Sequence, residues 1–423
     1  MEWLQQTHST VVSKNRHGFM KFLIFFLVLH LPLFACKPTS MVNEESINQN
    51  TQKPIVGAQQ FNEYLTRIQG KRVALVVNQT SMVEEGHLVD ALLNRNIEVK
   101  KVFAPEHGFR GTADAGEKVK SGIDTKTGLP VISLYGNNKK PTAAQLADID
   151  VVLFDIQDVG ARFYTYISTL EYVMEACAEQ DKKVIVLDRP NPNGHYVDGP
   201  VLNLDFQSFV GRQQIPIVHG MTVGEYAKFL NGEQLLANGA QADLEVIPCK
   251  QYDHTTPFEL PVAPSPNLPN QQSILLYPSL CLFEGTNVSV GRGTNTQFQV
   301  YGSPKFAIGS YAFTPTPMPG AKYPKFEGQA CYGMNLTNVP DSFFYDEPKL
   351  HLGWLIGMVE FHKNAGEPFF LKNNFFDKLA GTDQLRQQLL AGMSEEEIRL
   401  SWQDELSAFK QTRKKYLLYQ DFE

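Results

Sequence analysis

The stretch DVVLFDIQD, residues 150–158, decides the fold class. A continuous apolar run that ends in acidic side chains is typical of a strand buried on both faces of a parallel sheet. Similar runs are RVALVVN (72–78), VKKVFA (99–104), PVISLYG (130–136) and KVIVLDRP (183–190). Helical stretches, such as YISTLEYVMEACAEQ, separate several of these runs. The alternation of strands and helices predicts an α/β fold built on a Rossmann-like parallel sheet.

Changes in composition divide the chain into four predicted segments. Residues 1–36 read as an export signal, and the polar residues 37–56 read as a flexible tether. Residues 57–257 carry the alternating pattern and form the predicted Rossmann-like domain. From residue 258 the chain becomes rich in Pro, Asn and Ser, with short strand-like pieces and later helical stretches. Residues 258–423 are therefore predicted to form a smaller, mixed α+β auxiliary domain.

The N-terminal segment has the features of a bacterial lipoprotein signal. From residue 20 it reads MKFLIFFLVLHLPLFAC: one lysine, an apolar run too short to span a bilayer, and a cysteine. The residues before Cys36 resemble a lipobox, although Phe34 replaces the usual small residue. We expect lipidation of Cys36 and a membrane anchor in the bacterial cell envelope, facing the periplasm. A plain cleaved signal is the alternative.

Composition excludes some partners and bonds. The net charge is −7 over 423 residues, and no long basic run follows residue 40, which argues against a nucleic-acid partner. Four cysteines remain after the signal, at positions 177, 249, 281 and 331, and none is in a CxxC pair. Buried free thiols are favoured over one disulfide, and a metal cluster is not expected.

Several polar residues directly follow the predicted strands. Glu106 and His107 follow VKKVFA, Asp155 and Asp158 end DVVLFDIQD, and Asp188 ends KVIVLD. Because ligands of open parallel sheets bind outside the carboxyl ends of the strands, these residues are candidates for a site. Each carboxylate could instead cap a helix or pair with an arginine.

The motifs of common cofactors are absent from the sequence. The first strand is followed by NQTSMVEEG, without the glycine pattern of a dinucleotide fold or of a phosphate loop. H-E-x-x-H is also absent, and no histidines stand at zinc-ligand spacing. No cofactor is therefore expected, although a divalent ion held by carboxylates remains an alternative.

Candidate carboxylates in a chain without a nucleotide-binding motif suggest acid–base catalysis on a neutral substrate such as a glycoside. Hydrolysis of a glycoside typically needs two carboxyl groups. Glu106 is the leading candidate because Pro105 and Gly108 form a turn that presents it. Asp155 and Glu284 are the other catalytic candidates. The aromatic stretch RFYTY (162–166) could stack on a sugar ring, and Arg292, between two glycines, suits an anionic group.

A series of long motifs runs in order along the chain: LVVNQTS, VFAPEHGFRG, DVVLFDIQDVGARFYTYISTL, VLDRPNPNG, IPIVHGMTVGE, PSPNLPN and LYPSLCLFEGTNVSVGRGT. With these motifs the chain resembles the bacterial exo-β-N-acetylmuramidases, from about residue 58 to the C-terminus. The resemblance implies that the active site lies in a cleft between the two domains. It also implies release of terminal N-acetylmuramic acid from the non-reducing ends of peptidoglycan fragments.

The same motifs supply the remaining candidates for substrate binding. The lactyl carboxylate of N-acetylmuramic acid needs a cation, and the candidates are Arg110, Arg162 and Arg292. The other candidate substrate-binding residues are His107, Asp158, Tyr164, Asp188, Asn193, His219 and Asn267.

Two questions stay open at the level of sequence. The second catalytic group could be a protein carboxylate or the 2-acetamido group of the sugar, so retention, inversion and substrate assistance all remain. A non-catalytic lipoprotein that binds muropeptides is the rival function. It is less favoured, because the second half of the chain lacks the βα repeats expected in two similar lobes. Peptidoglycan-derived saccharides or muropeptides are the expected partners in either case.

Overall fold

The computed structural model describes residues 53–106, 108–109 and 121–423, and these belong to one compact unit. Cys36, His107 and Arg110 lie outside the described residues. In the described part, no helix has both the length and the apolar character needed to cross a membrane. The packed chain begins slightly before the predicted Gly57, because Ile55 exchanges two main-chain hydrogen bonds of 2.9 Å with Lys250 and Val56 is buried.

The described strands follow the apolar runs. They are β1 (Val73–Val77), β2 (Met82–Val83), β3 (Gly86–His87), β4 (Val99–Ala104), β5 (Gly122–Ile123), β6 (Pro130–Ser133), β7 (Val151–Asp155), β8 (Lys183–Leu187), β9 (Leu244–Ile247), β10 (Val300–Ser303), β11 (Tyr311–Phe313) and β12 (Cys331–Asn335). All residues of β1 and β7 are buried, as expected for central strands covered on both faces.

The described α-helices occur in both parts of the chain. They are α1 (Phe61–Ile68), α2 (Leu88–Asn94), α3 (Ala143–Leu146), α4 (Tyr166–Glu179), α5 (Val223–Gly232), α6 (Gln271–Leu280), α7 (Ser342–Asp346), α8 (Leu352–Asn364), α9 (Phe375–Ala380), α10 (Gln384–Ala391), α11 (Glu395–Leu400) and α12 (Gln403–Lys414). Capping side chains fix the N-termini of several helices. Thr222 and Asn270, for example, form capping boxes at the starts of α5 and α6.

The main sheet has the strand order β5-β6-β4-β1-β7-β8-β9. Every neighbouring pair is parallel except β5 and β6. From β1 the chain moves outward to β4 and β6, returns to β7 beside β1, and moves outward again to β8 and β9. This is the order of doubly wound dinucleotide-binding folds, with its switch point between β1 and β7. The predicted Rossmann-like α/β class is confirmed.

The C-terminal part adds helices and an antiparallel sheet of order β10-β12-β11. Its core is continuous with the apolar layer on one face of the main sheet, since a single cluster of buried side chains runs from Ala74 to Phe409. A second cluster covers the other face of the sheet. The cysteines at 177, 249, 281 and 331 are buried and free, which confirms the preference for thiols.

Candidate active site

A cavity of about 450 Å³ lies where the carboxyl edge of the main sheet meets the C-terminal part. Ligand pockets in proteins are typically about 300–1,000 Å³, so a sugar unit fits this volume. Both parts of the chain contribute its walls. The lining residues are Glu106, Tyr135, Phe163, Tyr164, Thr165, Tyr166, Phe209, Val210, Ser265, Asn267, Leu268, Tyr277, Cys281, Glu284, Arg292, Phe298, Phe375 and Leu379.

Glu106 reaches the cavity from the turn that follows β4. The main-chain N–H of Gly108 donates to the carbonyl of Pro105 at 3.0 Å and closes this turn. Gly108 has a φ of 80°, which glycine adopts at little cost. The carboxylate Oε2 of Glu106 accepts a hydrogen bond of 3.0 Å from the hydroxyl of Thr165. The sequence therefore correctly predicts a turn that presents Glu106.

Tyr135 stands beside Glu106 because it follows β6, the strand next to β4. Burial, the nearby charge of Glu106 and a hydrogen bond to that carboxylate raise the pKa of the Tyr135 hydroxyl. The phenol therefore stays protonated and can donate. Tyr135 is not among the residues predicted from the sequence, although its position after a parallel strand is the signal that could have identified it.

The opposite wall carries an ion pair between Glu284 and Arg292. Nη1 of Arg292 lies 2.8 Å from Oε1 of Glu284, and both side chains are about one quarter exposed. Burial opposes the charge of Arg292, but the carboxylate of Glu284 raises the pKa of the guanidinium, which stays ionised. Its Nη2 points toward the carbonyl of Gly320 at 3.4 Å. These two predicted residues lie together at the cavity, facing the side that holds Glu106.

Gly285 explains why the Glu284 turn can pack against α9. A Cβ atom at position 285 would lie 2.4 Å from Cα of Phe376, so only glycine permits this approach. Phe375 of the same helix lines the cavity.

Aromatic rings form much of the cavity surface. Tyr164 contacts Tyr166 and Tyr277 edge-on, with ring centroids 4.9 and 5.8 Å apart. These rings are mostly buried, and the hydroxyl of Tyr164 donates to the carbonyl of Pro264 at 2.8 Å. The more accessible aromatic side chains are Tyr135, Phe209 and Phe375. No sequence pattern pointed to Phe209 or Phe375, because each comes from a loop or helix far along the chain.

Asp155 and Asp188 differ from the expectation that they reach the site. Asp155 is fully buried and forms a bidentate pair with Arg189, with distances of 2.6 and 2.9 Å. Asp188 is also fully buried and accepts hydrogen bonds from Thr222, Gly224 and Tyr419. Neither lines the cavity. Their carboxylates hold the carboxyl ends of β7 and β8 to neighbouring segments.

Arg162 and Asn193 also act within the protein interior. Arg162 is 1% exposed, and its two terminal nitrogens donate to four main-chain carbonyls. Those carbonyls belong to Pro200, Ile215, Leu379 and Ala380, at 2.7–2.9 Å. The amide of Asn193 donates to the carbonyls of Val159 and Ile274. The structure therefore does not bring these two predicted residues to the cavity, because other main-chain groups occupy their donors.

Asp158 and His219 form a buried pair outside the cavity lining. Nε2 of His219 lies 4.0 Å from Oδ2 of Asp158, which accepts from the N–H of Gly160 at 2.7 Å. Burial raises the pKa of Asp158 to about 7 and lowers that of His219 to about 3. Within the described residues, Oδ1 of Asp158 and Nε2 of His219 have no hydrogen-bond partner.

Asn267 is the last predicted residue, and it does line the cavity. Its amide donates to the carbonyl of Gly320 at 2.8 Å, and its buried Oδ1 has no partner among the described residues. That oxygen is an unsatisfied acceptor beside the cavity. Of the predicted residues, the structure thus places Glu106, Tyr164, Asn267, Glu284 and Arg292 around one cavity.

The switch point between β1 and β7 is filled by the chain itself. The hydroxyl of Thr80 accepts from the N–H of Gln157 at 3.0 Å, and Ser81 donates to the carbonyl of Asp155. The main-chain N–H groups of Thr80 and Ser81, in the loop that would bind a pyrophosphate in a dinucleotide fold, donate to Asn78 at 2.9 and 3.1 Å and are therefore used internally. In the part of the chain that the structure describes, no group of three His, Cys, Asp or Glu side chains is placed to hold a metal ion.

The family models and a curated relative that match this chain all name the same family. Residues 73–272 match the family model described as exo-beta-N-acetylmuramidase NamZ, N-terminal, and residues 275–419 match its C-terminal counterpart. The peptidoglycan beta-N-acetylmuramidase NamZ of Bacillus subtilis (strain 168) is 38% identical over 430 aligned positions, which cover 95% of this chain and 100% of that protein.

Two crystal structures of DUF1343 family proteins from Bacteroides fragilis NCTC 9343 share the fold. One is 47% identical with a TM-score of 0.81, covering 88% of this chain and 100% of the other. The second is 29% identical with a TM-score of 0.75, covering 87% and 99%. From the two family models and the full-length relative, we conclude that the chain belongs to the NamZ family of exo-β-N-acetylmuramidases.

Proposed function

We propose that this protein is an exo-acting glycoside hydrolase that releases terminal β-linked N-acetylmuramic acid from the non-reducing ends of peptidoglycan fragments. The observation that carries the proposal is one cavity with Glu106 on the sheet side and the Glu284–Arg292 pair on the C-terminal side. The name of the Bacillus subtilis relative supports the substrate class. The role would be in turnover and recycling of the cell wall.

Glu106 is the proposed general acid. A glycosidic oxygen is a poor leaving group, and a positioned carboxylic acid that protonates it accelerates cleavage by about 10²–10⁴-fold. The hydrogen bond from Thr165 fixes the carboxyl group of Glu106, and Tyr135 packs beside it. The proton moves from Glu106 to the leaving oxygen as the bond to the anomeric carbon breaks, and a water molecule completes the hydrolysis.

N-acetylmuramic acid differs from N-acetylglucosamine by its lactyl carboxylate. Arg292 is the proposed partner of that group, because it lines the cavity and is about one quarter exposed. An arginine has five N–H donors, so the bonds to Glu284 and Gly320 leave donors for a ligand. Accessible rings of Tyr135, Phe209 and Phe375 offer apolar surface for the sugar.

Two groups can serve opposite the acid. Glu284 lines the cavity and is the protein carboxylate placed for it, whereas Asp155 is buried in its pair with Arg189. The 2-acetamido group of the substrate is the alternative nucleophile. In that case the role of Glu284 is only to pair with Arg292 and hold it in place. Proton NMR of the first product distinguishes these routes from single-step inversion, because both double displacement and substrate assistance release the β-anomer first.

A metal-dependent hydrolase is the other enzymatic candidate. Carboxylates alone can hold a divalent ion, so the candidate is tested directly by chelation. We expect activity to persist in excess EDTA. Loss of activity that one divalent ion restores would favour the metal enzyme.

We also propose that the protein is a lipoprotein of the bacterial envelope, anchored through Cys36 and facing the periplasm. The support is the signal-like stretch that ends at Cys36, which precedes the described residues. Metabolic labelling with a palmitate analogue tests it, with Cys36→Ser as the matched variant. Equal labelling of both proteins, or none of either, contradicts lipidation at Cys36.

The decisive assay for the activity uses purified residues 53–423 and a chromogenic β-N-acetylmuraminide. We expect turnover, together with release of free N-acetylmuramic acid from a fragment that carries this sugar at its non-reducing end. Tight, saturable binding without turnover would favour the rival function, a non-catalytic muropeptide-binding lipoprotein.

A further inference from the structure

Lys325 has an unusual environment beside the candidate active site. Its ammonium Nζ, which has three N–H donors, lies within hydrogen-bond distance of four main-chain carbonyls, those of Phe283, Glu284, Thr286 and Val288, at 3.3, 3.4, 2.5 and 2.9 Å. Among the described residues, no carboxylate lies within ion-pair distance of it. A lysine normally keeps its head group in water or against a carboxylate. The four carbonyls of Phe283, Glu284, Thr286 and Val288, called the carbonyl ring below, therefore form a specific site for a cation.

The carbonyl ring belongs to the turn that carries Glu284. Thr286 closes this turn by donating its N–H and its hydroxyl to the carbonyl of Phe283, at 3.0 and 2.8 Å. The turn brings four carbonyl oxygens toward one point, where they repel each other unless a donor occupies it. The ammonium of Lys325 therefore fixes the backbone on both sides of Glu284.

Lys325 also changes the charge of the cavity wall. Glu284 and Arg292 line both the main cavity and an adjoining pocket of about 210 Å³, and Lys325 lines that second pocket. This wall and the adjoining pocket together hold one carboxylate and two cations. Because Glu284 neutralises one cation, the second gives this side of the cavity a net positive charge.

We infer that Lys325 is a positioning residue for the Glu284–Arg292 pair: it holds the turn of Glu284 and supplies the positive charge that leaves Arg292 available to an anionic group of the substrate. The inference deepens the proposed function and rests on it for the identity of that group, the lactyl carboxylate. Without Lys325, the Glu284–Arg292 pair would have no net charge and no second cation beside it, and the turn would lose its central donor.

The charge of Lys325 is poised to respond to pH. Burial lowers the pKa of its ammonium to about 8, while Glu284 acts to raise it and Arg292 to lower it further. As the pH rises through about 8, the wall changes from one net positive charge to none. We expect selectivity for an anionic substrate to fall over that range.

Chemical rescue tests the inference. The test compares Lys325→Ala, with and without propylammonium, against the exposed control Lys305→Ala. The two substrates are an aryl N-acetylmuraminide and its lactyl amide, which lacks the negative charge. The acid preference is the ratio of kcat/KM on the muraminide, which carries the lactyl carboxylate, to kcat/KM on the lactyl amide. Loss of one charge at a partly buried wall should lower this ratio by about tenfold. Propylammonium should restore much of that preference in Lys325→Ala alone.

A second readout keeps the inference testable if the protein hydrolyses neither substrate, which would sink the proposed function. Propylammonium should raise the melting temperature of Lys325→Ala, but not of wild type or Lys305→Ala, because the carbonyl ring binds the added cation. The inference is overturned if Lys325→Ala keeps the wild-type acid preference. It is also overturned if propylammonium neither restores that preference nor stabilises the variant.

Discussion

At the scale of single residues, the cavity joins groups that the sequence separates widely. Glu106 and Arg292 are 186 positions apart in the chain, yet both line one cavity. Glu106 could be predicted from its place after an apolar strand. Arg292 could be predicted from its Gly-rich surroundings. Two of the residues around them could not be predicted, because neither Phe209 nor Lys325 stands in a pattern that distinguishes it from an ordinary side chain. Tyr135 is signalled only by its place after the parallel strand β6.

Arg292→Ala tests recognition of the lactyl group. A lost hydrogen bond to a charged group costs about 1.5–3 kcal/mol, so kcat/KM on an aryl N-acetylmuraminide should fall by roughly 10–150-fold. The loss should be much smaller on the matching N-acetylglucosaminide, which lacks the carboxylate. Arg292→Lys keeps the charge and should fall between the two enzymes. Equal losses on both sugars would show that Arg292 does not contact the lactyl group.

Asp158 gives a pH prediction for stability. Its folded pKa of about 7 lies above the ordinary value of 3.8 because burial disfavours the carboxylate. Between these values the folded state binds more protons than the unfolded state, so this group lowers stability as pH rises from about 4 to 7. Asp188, with a pKa raised to about 6 chiefly by burial, acts in the same direction.

Asp158→Asn cannot ionise and should remove that contribution. Relative to wild type, the variant should gain stability between pH 4 and pH 8, by up to about 4 kcal/mol. Urea unfolding at several pH values measures the difference. A difference between the two proteins that is independent of pH would mean that Asp158 titrates normally.

At the scale of elements, the sheet is the part that the sequence predicts best. The runs at β1, β4, β7 and β8 are apolar because both faces of these strands are covered, so each run is visible without its partners. The connections between elements are different. Arg162 and Asp155 follow or end β7 as expected, but their partners lie up to 218 positions away, and no local pattern indicates a contact at that distance.

Arg162 links three segments and should be essential for stability. It ties the loop after β7 to the carbonyls at 200, 215 and the end of α9. Arg162→Leu leaves these buried carbonyls without donors, which should cost on the order of 3 kcal/mol or more in the free energy of unfolding. Urea denaturation provides the measurement.

The matched control for that variant is Arg67→Leu, which removes a surface pair with Glu245. That pair is worth at most about 1 kcal/mol. If both variants lose a similar small amount, the interior role assigned to Arg162 is incorrect.

At the scale of the whole molecule, the N-terminal and C-terminal parts share one interior. A single apolar cluster crosses from the sheet to α12, and Tyr419 near the C-terminus donates to Asp188 after β8 at 2.6 Å. Arg413 of α12 donates to the carbonyl of Gly220. The cavity lies where the two parts meet, so its geometry depends on their being joined.

This shared interior predicts cooperative unfolding. Chains of this size often unfold in several steps, whereas parts that share a core should unfold together. Calorimetry of residues 53–423 should therefore show one transition, with a ratio of calorimetric to van't Hoff enthalpy near about 1. Two resolved transitions would show that the two parts are independently stable.

The central claim is that Glu106 protonates the leaving oxygen when terminal N-acetylmuramic acid is released. The most direct measurement compares wild type with Glu106→Gln on the disaccharide of N-acetylmuramic acid and N-acetylglucosamine, and on a dinitrophenyl muraminide whose leaving group needs no proton. Glu98→Gln, an exposed residue directly before β4, the strand that precedes Glu106, is the control. The account predicts a loss in kcat of about 10²–10⁴-fold on the disaccharide, with a far smaller loss on the dinitrophenyl substrate. A well-folded Glu106→Gln protein within a few-fold of wild type on the disaccharide would contradict it.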